Sequence, residues 1–73
     1  MPITFRSTDD GYIVGTGEVV GQNEYSLLFR MDNDGTEDWY TTSQIHDDSD
    51  VKGLGDYGTL IISTWLAKQK GFL

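Results

Sequence analysis

Gly53-Leu54-Gly55-Asp56-Tyr57-Gly58 has the spacing G-x-G-x-x-G, which in other proteins marks a loop folded around a nucleotide pyrophosphate. That chemistry needs a buried strand before the first glycine and a helix opening after the last, so that backbone N–H groups face the phosphates. The preceding residues, His46-Asp47-Asp48-Ser49-Asp50-Val51-Lys52, are too polar for a buried strand. The following ones, Thr59 to Ile62, read as a strand, and Asp56 would place negative charge inside the cradle. The glycines are therefore read as loop formers that lead into a strand.

Three other groupings could do chemistry. Asp32-Asn33-Asp34-Gly35 looks like part of a calcium loop, but with Gly35 at the invariant sixth position the first and twelfth ligands would be Arg30 and Thr41. It is read as a turn. His46 with Asp47, Asp48 and Asp50 offers divalent-cation ligands, yet a single imidazole in a solvated acidic loop does not define a site. Ser43 lies near His46, but a nucleophile needs a base and a third group to orient that base, and no such group is apparent. No catalytic residue, metal or cofactor is expected, and the protein is read as a non-enzyme.

Charge is the stronger signal. Twelve acids against five bases give a formal charge of −7. Seven carboxylates (Asp32, Asp34, Glu37, Asp38, Asp47, Asp48, Asp50) fall between positions 32 and 50 with no Lys or Arg among them. Such a block repels nucleic-acid phosphates and anionic lipid and attracts basic protein surfaces. Solubility alone would also explain it, and the sequence leaves both readings open.

The elements that must position these groups fit one small domain of 73 residues, near the lower size limit for an unaided core. There is no cysteine, so disulfides and thiolate zinc sites are excluded. No apolar run approaches the roughly 20 residues that span a bilayer. Met1-Pro2-Ile3-Thr4 lacks the features of a signal peptide, and a cytoplasmic location is expected, that of the host for a phage protein.

The pattern predicts a mostly β fold: an SH3-like or OB-like antiparallel barrel or meander of four or five strands with one short C-terminal helix. A short strand is expected at Ile3 to Arg6, ended by Asp9-Asp10-Gly11, and a longer one from Tyr12 to Val20. Gly15 and Gly17 interrupt that long strand, which signals a bulge, a bend or close approach of another backbone. After the turn at Gly21-Gln22-Asn23, Tyr25, Leu27, Phe29 and Met31 alternate with Ser26, Leu28 and Arg30 as in a half-buried strand. Asp32 to Gly35 then forms a hairpin turn, and Trp39-Tyr40-Thr41-Thr42 returns as a strand. His46 to Gly58 reads as a solvated loop and Thr59 to Ile62 as a strand. Ser63 caps a helix through Lys70 with Gly71 as its C′ residue, and Trp65, Leu66 and Phe72 are expected to face the sheet.

Trp39-Tyr40-Thr41-Thr42-Ser43-Gln44-Ile45 and the terminal Ile62-Ser63-Thr64-Trp65-Leu66-Ala67-Lys68-Gln69-Lys70-Gly71-Phe72-Leu73 carry a resemblance. Together they resemble a group of small phage and bacterial proteins with a W-x-P-K-S-Q-I motif followed by a C-terminal W-L-A-x-x-K-G-L. The resemblance covers roughly residues 18 to 73. Thr41 and Thr42 stand where Pro and Lys are usual. That family has no settled activity and transfers no site residue; it implies a setting among mobile elements, often near DNA-handling genes.

These observations lead to the expectation of an acidic protein-binding module, phage-encoded, that inhibits a host nucleic-acid-handling or defence protein by presenting carboxylates in place of phosphates, as an anti-CRISPR or anti-restriction protein would. Asp32, Asp34, Glu37, Asp38, Asp47, Asp48 and Asp50 would meet a basic surface, with Trp39 or Tyr40 as the apolar anchor. The alternative is an accessory module that stacks single-stranded nucleic acid on exposed aromatics. Five bases among twelve acids supply no cationic track for it, and most of the rings are expected in the core.

Overall fold

The computed structural model describes residues 11–73. The strand expected at Ile3 to Arg6 and the Asp9-Asp10 part of the first turn lie outside the described residues.

β1 (Tyr12–Gln22) is the long strand, and Gly15 and Gly17 in it have a structural purpose. The register against its neighbour β4 (Tyr57–Ile62) shifts between Ile13 and Gly15, so Gly15, at φ 149°, sits in a bulge that bends the strand. Gly17 marks close approach of another chain segment. A Cβ built there would stand 1.9 Å from the carbonyl oxygen of Arg30. β2 (Ser26–Met31) pairs with β1 on its other side, and β3 (Glu37–Thr41) pairs with β2, all antiparallel.

The strand order is β3-β2-β1-β4. The first three strands form a meander, and the fourth returns to lie beside the first, which is the Greek-key order. The expected mostly β architecture with one short C-terminal helix is what the chain adopts, but the barrel does not close. Among the described residues β3 is an edge strand, and past β4 there is a single bridge, Ile45 to Ile62. A second bulge, between Val19 and Gly21, adds to the curl of the sheet.

The register assigns the faces. Val19 pairs with Phe29, Leu27 pairs with Tyr40, and these side chains join Leu60 and Ile62 in the core with Val51, Leu66 and Ala67. Phe29 and Tyr40 meet edge to face at 6.3 Å. The period-2 pattern placed Leu27 and Phe29 inside as expected. Tyr25, by contrast, precedes the strand and is exposed.

The segment from His46 to Asp56 differs from its expectation. It has no regular structure, yet His46, Ser49 and Val51 are buried. It lines the free edge of β4: the amide of His46 donates to the Ile61 carbonyl at 2.9 Å, and that of Asp50 donates to Thr59 at 2.9 Å. The Ser49 Oγ takes the Ile61 amide at 3.2 Å and donates to Val51. A polar segment is buried here because its polar atoms satisfy an otherwise unpaired edge. β4 accordingly starts at Tyr57, two residues before the expected Thr59.

α1 (Thr64–Gln69) starts and stops where its sequence signals lie. The Ser63 Oγ accepts the Leu66 amide at 3.0 Å and donates to the Gln44 side-chain oxygen at 2.7 Å. Gly71, at φ 84°, lets the Phe72 amide reach Ala67 and the Gly71 amide reach Lys68, a Schellman closure. Leu66 and Ala67 are buried, but Trp65, expected to face the sheet, is 58% exposed. Six residues offer one narrow buried stripe, and the bond from Ser63 to Gln44 fixes which side carries it.

Candidate interaction surface

All seven carboxylates between positions 32 and 50 are exposed. They fall into two groups. Asp34, Glu37 and Asp38 belong to the β2–β3 turn and the edge strand β3. Asp47, Asp48 and Asp50 belong to the segment beyond β4, at the other end of the strand order. Asp32 sits between the two groups: its amide donates to Thr16 of β1 at 2.9 Å, and its carboxylate accepts the Tyr57 hydroxyl of β4. That bond pushes the Tyr57 phenol above its ordinary range.

Few of these charges are neutralised. Asp38 meets Lys70 at 2.9 Å, and the His46 Nδ1 lies 3.9 Å from Asp48. The Nδ1 also accepts the Asp48 amide at 3.1 Å. Backbone amides are the partners of Asp34 and Asp50, with the Thr36 side chain adding to Asp34. Asp34 takes the amide of Thr36 at 2.9 Å, which holds its carboxyl below the usual range. Asp50 takes that of Thr59 at 3.1 Å. Lys52 Nζ reaches the Asp47 carbonyl rather than a carboxylate. Among the described residues, no group of three His, Cys, Asp or Glu could hold a metal ion, and no helix is long and apolar enough to cross a membrane.

Edge-strand geometry explains the double role of Asp38. Met31 donates to Thr36 and Thr42 donates to Tyr25, so the even-numbered residues of this stretch bond toward β2. The odd-numbered ones point their amides at the free edge. The Asp38 Oδ1 turns back and accepts the Trp39 amide at 2.8 Å, blocking that edge position with a charge.

The two proposed anchors separate. Trp39 pairs with Leu28, which pairs with Gly21, so its ring lies on the outer sheet face and is 42% exposed. Tyr40 points the opposite way and is 3% exposed, so it is a core ring and not a contact residue. Strand alternation requires this: two successive residues cannot face the same side.

Two functional candidates escaped the sequence reading. Tyr57 is exposed on the outer face beside Glu18, and the alternation Tyr57, Thr59, Ile61 was its available signal. Lys70, placed in the sequence reading only as the last residue of the helix, lies 4.5 Å above the Tyr40 ring. No sequence spacing links these two residues. Among the described residues the four strands carry one cation, Arg30, and Glu18 engages it at 3.3 Å.

No protein-family model, curated protein or solved structure matches the chain.

Proposed function

We propose that the chain is a non-enzymatic protein-binding module that docks its carboxylates on the basic surface of a nucleic-acid-handling protein. The carrying observation is the exposure of all seven acids from Asp32 to Asp50, with one lysine contact to them among the described residues. A charge set this lopsided accelerates encounter with a cationic partner and repels polynucleotides. Trp39, exposed on the same strand face as Glu37, is the apolar anchor, because carboxylates steer but do not hold. The motif resemblance supports a phage setting, in which the module occupies the nucleic-acid site of a host defence protein.

Exposed Tyr25, Trp39 and Tyr57 favour the rival reading, stacking of single-stranded nucleic acid. The strand cation it would use, Arg30, is already paired with Glu18.

Mobility shift on labelled single-stranded DNA and RNA at low salt separates the two. The mimic gives no shift, and proteins it captures from a lysate are nucleic-acid binders that excess DNA releases. Tight, salt-sensitive binding to the labelled strand would remove the mimic reading.

A further inference from the structure

A cleft of about 210 Å³ opens between the β2–β3 turn and the C-terminal tail, lined by Tyr12, Val14, Met31, Asp34, Thr36, Asp38, Tyr40 and Phe72. This is smaller than the roughly 300 to 1,000 Å³ of sites for drug-sized ligands, which points to a single side chain as occupant. One lip is acidic, formed by exposed Asp34 and Asp38 with Thr36. The other is aromatic, with Tyr12 and Phe72 stacked at 5.4 Å. Partly buried Val14 and Met31 supply an apolar floor.

The molecule already shows what such walls bind. Lys70 Nζ stands 4.5 Å over the Tyr40 ring and 2.9 Å from Asp38 Oδ2, so an ammonium rests against one end of the cleft in a cation–π and carboxylate contact. Among the described residues Asp34 has no cation contact, and its bond to the Thr36 amide favours its ionised form.

We propose that this cleft receives an arginine side chain of a basic protein partner. Its guanidinium would be held by Asp34 and lie against the Tyr12 and Phe72 rings, with its stem along Val14 and Met31. Arginine fits better than lysine here, because a flat, weakly hydrated guanidinium stacks on rings and forks to a carboxylate. The proposal rests on the acidic-module reading for the nature of the partner, but binding of the side chain is a property of this cleft alone. Lys70 then acts as a resident competitor that shares Asp38 and the Tyr40 face.

The test is an amide NMR titration of the intact protein with N-acetyl-arginine methylamide, and in parallel with N-acetyl-norleucine methylamide. Saturable shifts at Val14, Met31 and Thr36 are expected with the arginine probe only. Asp34→Asn retains an oxygen for the Thr36 amide, so the fold is kept, and it should weaken binding about fivefold, the scale of an exposed ion pair. Lys70→Met should tighten binding about threefold, whereas Lys68→Met, with the same change in net charge, should leave it unchanged.

Equal response to norleucine would show an apolar occupant and overturn the proposal. So would shifts confined to Asp47 through Asp50, shifts that arise from raising protein concentration alone, or no shift at all. If partner capture still depends on Asp47 and Asp48 while the titration is silent, the acidic-module reading stands and the arginine cleft falls.

Discussion

Gly17 and Arg30 cross so closely that a Cβ on the glycine would stand 1.9 Å from the Arg30 carbonyl oxygen and 3.1 Å from the Met31 Cα. The obstacle is backbone, at the Gly17–Met31 end of the β1–β2 pairing, and cannot rotate away. Gly17→Ala should therefore cost about 3 kcal/mol, at the upper end of overpacking penalties. At Gly21 the added atom meets only the Leu28 side chain, with Cβ at 3.2 Å and Cδ2 at 3.3 Å, a contact relieved by a shift of a few tenths of an ångström. Urea unfolding should rank Gly17→Ala far below Gly21→Ala in stability; equal midpoints would show that the strands can separate without penalty.

Tyr40 makes stability depend on alkaline pH. Burial first, then the Asp38 carboxylate and Tyr12, push its phenol up to about 12 from an ordinary 10.0. Below pH 10 the phenol is protonated in both the folded and unfolded chain, and its contribution is complete. Between pH 10 and 12 the unfolded chain ionises while the folded one does not, so stability falls by about 2 to 3 kcal/mol across that window. Tyr40→Phe keeps the ring against Phe29 and has no proton to lose. The difference between wild type and Tyr40→Phe in unfolding free energy should change between pH 9.5 and 12; a constant difference would refute the assignment.

Ser63 joins the helix to the 3-10 turn at Thr42–Gln44, and its hydroxyl is used in both directions. Ser63→Ala removes the cap of α1 and strands the Gln44 oxygen, so a loss of about 2 kcal/mol is expected. Gln44→Ala should cost less, because the cap survives. In a double-mutant cycle the pair should couple by about 0.5 to 1 kcal/mol. Additive losses would mean that the helix end and the turn are independent.

The ease of reading the sequence varied with how local the cause was. The Ser63 cap, the Gly71 closure and the Leu27/Phe29 alternation depend on residues a few positions apart, and each was legible. Gly15 and Gly17 announced a bulge and a close approach, though not which backbone approached. His46, Ser49 and Val51 were misread because they are buried by pairing with β4, more than ten residues on in the case of His46 and Ile61. The burial of Tyr40 followed from alternation with Trp39, yet the inward member of the pair becomes known only once Leu27 is seen opposite Tyr40. Of the site, the acidic composition was plain; its division between the two ends of the strand order and the Lys70–Tyr40–Asp38 contact were not, since both arise from the long return of β4 and α1.

Trp39 and the acids should affect binding in different ways. Trp39 is on the outer face and partly solvated, so Trp39→Ala should cost the fold no more than about 1.5 kcal/mol. As the anchor it should cost capture at least about tenfold, chiefly through faster dissociation. Asp47→Asn with Asp48→Asn removes two carboxylates whose side chains bear none of the sheet hydrogen bonds, and should slow association and flatten its salt dependence. Partner-capture kinetics at two ionic strengths, with thermal unfolding as the control, read both effects. If the double Asn variant and Trp39→Ala both capture like wild type, neither acid steering nor the aromatic anchor operates, and the outer face is only a solvated surface.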